Sequence, residues 1–447
     1  MSNLSRISQI RIKNFKNIKF GCIRDLNYCE DQAALLGLFG PNGTGKTALV
    51  DACRLLKFVI SGLRIPDQFT HVIGSEQESS ELMFSFIFNQ NEDPETPQNL
   101  MVEYVFKITK QQKFLASPSG DGSGYQIKIF DEVIKISSPE LPGYKQRKIL
   151  IDSSKNNSYT PLSLVMRFTQ HSPLIDEELR NLKYFAQNSA LSAIFNDRIM
   201  EILSKNKLLK RTLSVIKHYG KSNLYVITTA DQNLFSWSER TVPLQNKVQI
   251  PFELIESINQ SVTALNAVLQ SLIPDITLQL TKKNITYDAK GREICNFDLY
   301  SIRNGIRIPL EFESNGIKKL LRILEMIICV YNRSDVTTII DELDTGIFEY
   351  LLGELLTVIA EKGKGQLIFT SHDLRPLELL NKKYLCFTTA NPANRFIRIK
   401  GISKNTNIRD FYFRKLQLWN QNNPLYEGVD HAKLAHDLYK AGHNGSL

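Results

Sequence analysis

Ala33-Ala34-Leu35-Leu36-Gly37-Leu38-Phe39-Gly40-Pro41-Asn42-Gly43-Thr44-Gly45-Lys46-Thr47 is the stretch on which the fold turns. Its first seven residues form an apolar run, too short for a helix and suited to a buried strand. The next eight match G-x-x-x-x-G-K-[ST] at every fixed position. In a chain of this length, one chance match has a probability on the order of one per cent. Thr47 to Leu56 then read as an amphipathic helix. Strand, glycine-rich loop and helix follow in the order the motif requires. Glycines let backbone N–H groups turn inward around phosphate oxygens without a Cβ clash. The helix points its positive end at the same place. Gly40, Pro41, Asn42, Gly43, Thr44, Gly45, Lys46 and Thr47 are therefore expected to bind a nucleotide, with ATP and Mg²⁺ as the cofactors. Lys46 reaches the β- and γ-phosphates, and Thr47 offers its hydroxyl to the metal.

A second set of motifs lies far along the chain. Val336-Thr337-Thr338-Ile339-Ile340-Asp341-Glu342 is a β-branched strand ending in two acids. A carboxylate at the C-terminal end of a buried strand sits where open α/β sheets bind ligands. Asp341 is expected to hold Mg²⁺ and Glu342 to polarise the attacking water. Taken alone, the pair also fits acids that merely begin a loop. Gln366 to Ser371 is another buried strand, followed by His372, which is expected at the γ-phosphate or the water. The bland alternative is a loop histidine with a local partner. Upstream, Glu313-Ser314-Asn315-Gly316 opens the helix beginning Lys318-Lys319-Leu320. Ser314 is a plausible N-cap. A helix start with a serine hydroxyl and a glycine is a phosphate contact.

The remaining chain divides by pattern. Ile10–Ile12 and Ile18–Phe20 read as strands around a turn at Lys13-Asn14. Leu82–Phe88, Met101–Ile108 and Tyr125–Ile129, separated by polar loops, read as an antiparallel meander. Residues 174–218 favour helix, as do 251–272. Ile276–Leu280 and Ile306–Leu310 return to strand character, and an α/β half follows from Gly316. The expected organisation is 1–65 and 305–400 as two lobes of one head, with 66–170 as its β subdomain. Residues 171–304 are expected to be a mainly helical insertion with a short β segment, and 401–447 a helical tail.

In this order the parts resemble ABC-type ATPase heads, and within them the ATPases related to SMC, RecF and OLD proteins. Ile12-Lys13-Asn14-Phe15-Lys16-Asn17-Ile18 resembles their I-x-N-F-K-x-I opening. Glu313–Gly316, Asp341-Glu342-Leu343-Asp344 and Thr370-Ser371-His372-Asp373 resemble AAA-family ATP-binding proteins of bacterial phage-defence operons. The resemblance covers 1–60 and 305–400 and matches the middle only in general plan. It implies an α/β fold of the ABC/SMC head type, a mixed sheet with an antiparallel meander. It implies ATP hydrolysis, and a homodimer or higher homo-oligomer through ATP-sandwiched heads. Lys46, Thr47, Asp341, Glu342 and His372 would serve their own protomer's nucleotide. Ser314 and Gly316 would contact the partner's γ-phosphate, and Asp344 would lie at the inter-head junction. It also implies a sensor or scaffold role in anti-phage defence, with a separate effector such as a nuclease. The chain departs from the pattern at Asn315 and Ile317, where Leu-Ser-Gly-Gly-Gln is usual, and at Thr345-Gly346-Ile347-Phe348. Gln68 and Gln77 are both candidates for the glutamine loop.

Composition narrows the classes. The chain has 447 residues, 42% hydrophobic and 23% charged, which is ordinary globular usage and excludes a mainly disordered or collagen-like chain. No run of 18 uncharged apolar residues occurs and no signal-peptide core follows the N-terminus, so no membrane segment is expected. Six sparse cysteines with no C-x-x-C pair fit reduced thiols and a cytoplasmic location. The net charge of +9 permits nucleic-acid contact. Its most concentrated source, Lys205–Lys221, reads either as a nucleic-acid or acidic-partner surface or as the solvated face of a packed helix. That basic face motivates the alternative of a DNA repair or recombination ATPase; a third reading is a scaffold that binds ATP and hardly turns it over. The stretch after His372 shows no D-x-D pair, so no nuclease is expected in this chain. The middle lacks sustained heptads, so no coiled-coil arm is expected. The tail histidines 431, 436 and 443 are spaced as surface residues.

Overall fold

The computed structural model describes residues 3–26, 32–74, 77–89, 99–113, 124–141, 143–153, 173–203, 207–229, 234–237, 240–243, 248–287, 291–398, 407–417 and 430–444. Lys205, Cys29, the tail residues 401–406 and 418–429 and parts of the polar loops of the meander lie outside them. The strands are β1 (Leu4–Phe15), β2 (Ile18–Ile23), β3 (Ala34–Phe39), β4 (Ser80–Asn89), β5 (Asn99–Gln112), β6 (Tyr125–Ser137) and β7 (Lys148–Asp152). They continue with β8 (Leu224–Ile227), β9 (Leu234–Trp237), β10 (Arg240–Pro243), β11 (Val248–Pro251), β12 (Ile276–Tyr287), β13 (Glu293–Arg303) and β14 (Ile306–Pro309). The last are β15 (Thr337–Ile340), β16 (Gln366–Ser371), β17 (Leu385–Thr388) and β18 (Phe396–Ile397). The helices are α1 (Lys46–Ile60), α2 (Pro173–Asn188), α3 (Asp197–Leu203), α4 (Lys207–His218) and α5 (Ile255–Leu272). After them come α6 (Asn315–Asn332), α7 (Glu349–Lys362), α8 (Arg375–Leu379), α9 (Ile408–Gln417) and α10 (His431–Asn444).

One sheet runs β18-β17-β3-β16-β15-β8, parallel throughout except for the short β18. Alternation along its strands sends side chains to two different cores. Leu36, Leu38, Ile339 and Ile368 face α1 and the second sheet. Leu35, Phe39, Ile340 and Phe369 face α6 and α7, where they meet Ile323, Leu352 and Ile359. A parallel sheet covered on both faces needs strands that are apolar throughout, and every residue of β3, β15 and β16 is buried. The second sheet is the antiparallel meander β2-β1-β4-β5-β6-β7. A third unit packs α5 and one flank of α6 on the antiparallel strands β11–β14.

The buried Gln366 side chain links the two large sheets. A bulge interrupts the β1–β4 register between Ile7 and Gln9. The freed Ile7 amide donates to Gln366 Oε1 at 2.9 Å, and Gln366 Nε2 donates to the Ile7 carbonyl at 2.8 Å. Thr337 Oγ1 also donates to Gln366 Oε1, at 3.0 Å. The glutamine side chain thus completes a backbone pair that a strand would otherwise supply.

Two features differ from expectation. The first hairpin turns at Lys16-Asn17 rather than Lys13-Asn14, because Lys13 still pairs with Phe20 and Phe15 with Ile18. Residues 171–304, read as mainly helical with a short β segment, carry β8 to β13 as well as four helices. Of these, β8 joins the parallel sheet beside β15, with Ile339 opposite Val226. A four-residue Leu-Tyr-Val-Ile strand has no periodicity of its own, and only the vacant edge of β15 makes it one. Among the described residues no helix is long and apolar enough to cross a membrane. In the tail, α9 docks through Tyr412, which is 5% exposed and stacks on Phe387 with ring centroids 5.3 Å apart.

The inter-sheet link gives a stability test. Gln366→Leu leaves the Ile7 N–H and C=O buried without partners, so unfolding free energy should fall by about 2–4 kcal/mol. Urea denaturation of the two proteins measures it.

Candidate nucleotide site

The glycine loop follows β3 and opens α1. Gly45 is the N-cap of α1 in the left-handed region, at φ 94°, a conformation that suits glycine. Lys46 is buried, and its Nζ donates to the Gly40 carbonyl at 2.6 Å and the Pro41 carbonyl at 2.9 Å. Burial lowers its pKa to about 8, against the pull of Asp341, Asp344 and Glu342. Thr44 and Thr388 share a hydrogen bond at 2.5 Å, which fixes the loop to the end of β17. On its other side the loop meets the Lys16-Asn17 turn. Asn17 Nδ2 donates to the Gly43 carbonyl, and Lys16 pairs with Asp51 of α1. Arg395 holds that turn in place, with Nε and Nη2 donating to the Asn17 carbonyl at 3.0 and 2.7 Å. The turn and Arg395 were not among the expected site residues. Only the tertiary fold brings Arg395 to Asn17.

The acids come from the neighbouring strands. β16 lies between β3 and β15, so the ends of all three converge. Asp341 is 2% exposed, and Thr370 Oγ1 of β16 donates to its Oδ1 at 2.6 Å. The same Thr370 Oγ1 accepts the Glu342 amide at 2.7 Å. Glu342 itself sits at φ 48°, a left-handed backbone that a non-glycine residue adopts at a cost. Lys319 of α6 donates to the Glu342 carbonyl, as does the Thr345 amide at 3.1 Å. Thr345 Oγ1 donates to Glu342 Oε2 at 3.3 Å.

Glu342 and His372 border one cavity with Lys16, Asn17, Lys46 and Thr47, about 220 Å³ in volume. Of the expected residues, Asn42, Gly43, Gly45, Lys46, Thr47, Glu342 and His372 line this cleft, and Gly40, Pro41, Thr44, Asp341, Asp344, Ser314 and Gly316 do not. Asp344 Oδ2 accepts the backbone amides of His372 and Asp373, both at 3.1 Å. Its carboxylate thus fixes the histidine loop of its own chain.

Ser314 is the N-cap of α6. The Ile317 amide donates to its Oγ at 3.3 Å. Gly316 lies against Gly346, because a Cβ on Gly316 would stand 2.5 Å from the Gly346 carbonyl oxygen. Asn315 and Gly316 border a second cavity, about 170 Å³, that also reaches Lys319, Asp341 and Glu342. Glu342 thus separates the cleft at the glycine loop from the opening of α6.

The residues fit a nucleotide with its metal. Asp341 Oδ2 is buried and accepts no hydrogen bond from the described residues, which leaves it available as a hard oxygen ligand. Thr47, at the first turn of α1, is exposed on the wall of the same cleft. A Cβ on Gly43 would meet nothing within 4 Å, so the loop is open on that side.

Among solved structures the chain is similar to SMC head domains. With the SMC head bound to the C-terminal winged-helix domain of ScpA it shares 13% identity and a TM-score of 0.42, covering 88% of this chain and 97% of that one. With the Pyrococcus furiosus SMC head bound to the C-terminal domain of ScpA the identity is 13% and the TM-score 0.42, over 89% and 96%. With the Thermotoga maritima SMC head they are 12% and 0.36, over 89% and 100%. No protein-family model matches the chain, and no curated protein sequence matches it.

Gly316→Ala should lower unfolding free energy by about 1–3 kcal/mol, since the new methyl meets backbone and cannot move aside. Chemical denaturation of the two proteins is the measurement.

Proposed function

We propose that the protein is a cytoplasmic ABC/SMC-class ATPase that binds ATP and Mg²⁺ and assembles through ATP-sandwiched heads. The observation that carries this reading is the convergence of Lys46, Thr47, Glu342 and His372 on one cleft, with the buried Asp341 adjoining. Gly40 to Thr47 hold the triphosphate, with Lys46 as the counter-charge. Thr47 and Asp341 hold Mg²⁺, which neutralises phosphate charge when bound. Glu342 takes a proton from the attacking water as the new O–P bond forms and the bond to the β-phosphate oxygen breaks. His372, placed by Asp344, orients that water or the γ-phosphate. Ser314 and Gly316 meet the nucleotide of a second copy, with Asp344 near the junction. Because the γ-phosphate then touches two protomers, its loss on hydrolysis releases them.

The reading extends to a sensor or scaffold subunit of a bacterial anti-phage system whose effector, a nuclease for example, is a separate protein. Its support is the resemblance of the Glu313–Gly316, Asp341–Asp344 and Thr370–Asp373 runs to defence ATPases. Plaque counts on cells with and without the operon test it, and equal counts defeat it. The repair alternative gains less from the basic segment than its sequence suggests. In α4, Leu209, Leu213 and Ile216 face the core, while Lys217 is buried and donates to the Phe195 carbonyl at 2.9 Å and to Asp197. DNA-stimulated hydrolysis would nevertheless favour it.

Two measurements address the ATPase itself. Glu342→Gln should bind ATP, lower kcat by about 10²–10⁴-fold, and trap a dimer visible by light scattering. A rate equal to wild type would support the scaffold reading instead. The second is pH dependence. Bound phosphate holds the Lys46 proton more tightly than the free site does, so binding takes up a proton once the free lysine deprotonates. ATP affinity should be level below about pH 8. Above that it should weaken by as much as about tenfold per pH unit. Lys46→Ala should bind weakly, with the slope gone.

A further inference from the structure

Two lysines face the same three acids. Lys46 comes from the glycine loop and Lys319 from the second turn of α6. Asp341, Glu342 and Asp344 each act on both ammonium groups. The two cations are held differently. Lys46 rests on carbonyls of its own loop, the loop that cradles phosphates. Lys319 is bonded to the main-chain carbonyl of Glu342 itself.

That carbonyl belongs to the residue with the left-handed backbone, at φ 48°. A non-glycine residue stays in that region only when its surroundings fix it from several sides. On the β16 side, Thr370 Oγ1 accepts the Glu342 amide at 2.7 Å. On the α6 side, Lys319 and the Thr345 amide both donate to the Glu342 carbonyl. Remove Lys319, and one face of the peptide after Glu342 has a single local turn bond. The helix bearing Lys319 cannot easily shift, because Gly316 is packed against Gly346.

We infer that Lys319 is a positioning residue for hydrolysis: it clamps the Glu342 backbone, aims its carboxylate into the glycine-loop cleft, and stays as counter-charge to the three acids when Lys46 engages phosphate. The assignment rests on Glu342 being the general base. It adds a mechanical link from the opening of α6, where Ser314 and Gly316 lie, to the base of the same protomer. Lys319 forms no bond to nucleotide in this scheme. Desolvation lowers its ammonium pKa against the pull of those acids.

The test uses the full chain with Lys319→Met, which keeps the aliphatic stem, and Lys319→Arg, which restores a donor. Misplacement of a reacting group by about 1 Å costs up to about a hundredfold, so Lys319→Met should lower kcat by about ten- to a hundredfold. Its nucleotide Kd should stay within about twofold, and Lys319→Arg should recover most of the rate. In the nucleotide-free proteins, amide exchange of the 341–346 segment should quicken in Lys319→Met and return towards wild type in Lys319→Arg. Unchanged exchange in Lys319→Met would overturn the clamp, whatever the hydrolysis rate. Equal losses in Kd, kcat and thermal stability would reduce Lys319 to a packing residue. If Glu342→Gln hydrolyses like wild type, the base assignment fails, while exchange still reports the backbone clamp.

Discussion

Parallel hydrogen-bond register between β3, β16 and β15 is the constraint on which this molecule depends. Ser371 lies opposite Phe39 and Phe369 opposite Ile340, so the three strands release their following residues at one edge of the sheet. Gly40, His372 and Asp341 are those following residues. The neighbours of each strand are remote in sequence, so the register is held by burial rather than by turns. A slip by one residue would turn Leu35 and Phe39 toward α1, and Leu36 and Leu38 toward α6 and α7. The two cores therefore specify the register, and the register places the lysine beside the carboxylates.

At that edge the structure accepts local strain. The Asp341-Glu342 pair ends a β-branched strand, where a left-handed residue is unfavourable by about 1–3 kcal/mol. Thr370 offsets part of it, donating to Asp341 and accepting from Glu342 through a single hydroxyl. A valine of nearly the same shape at 370 would leave the Glu342 amide without that acceptor. Asp344 acts in the same way one turn further on, holding two amides of the histidine loop. The acidic loop and the histidine loop are thus parts of one hydrogen-bonded unit, so displacement of one moves the other.

The legible part of this site was local. Gly40–Thr47 and Thr337–Glu342 carry their own conformational instructions: glycines for a tight anion loop, β-branched residues for a buried strand. Ser314 was readable as a cap for the same reason. The central strands of the meander were readable as strand-forming runs separated by polar loops, whereas Lys148–Asp152 was not read as a strand. What escaped is what only the fold brings together. β8 becomes a strand because β15 has an open edge, and nothing within Leu224–Ile227 announces it. The first hairpin turned three residues later than expected, since Lys13-Asn14 looks like a turn while the pairing of Phe15 with Ile18 requires it at Lys16-Asn17. Lys319 was legible only as part of the helix that begins Lys318-Lys319-Leu320, and its partner is a backbone carbonyl that no side-chain pattern marks.

Asn17 shows how far such coupling extends. Its carbonyl is held by Arg395, from a segment that also accepts the amides of Lys19 and Phe20 at the Pro392 carbonyl, both at 2.9 Å. Its side chain in turn holds the Gly43 carbonyl. A glycine loop has few side chains with which to hold its own shape, so its rigidity must come from outside. Here it comes from β17 through Thr388 and from the meander through Asn17. The meander and the last parallel strand therefore do more than cover the sheet. They fix, from two sides, a loop whose glycines would otherwise leave it free to adopt many shapes.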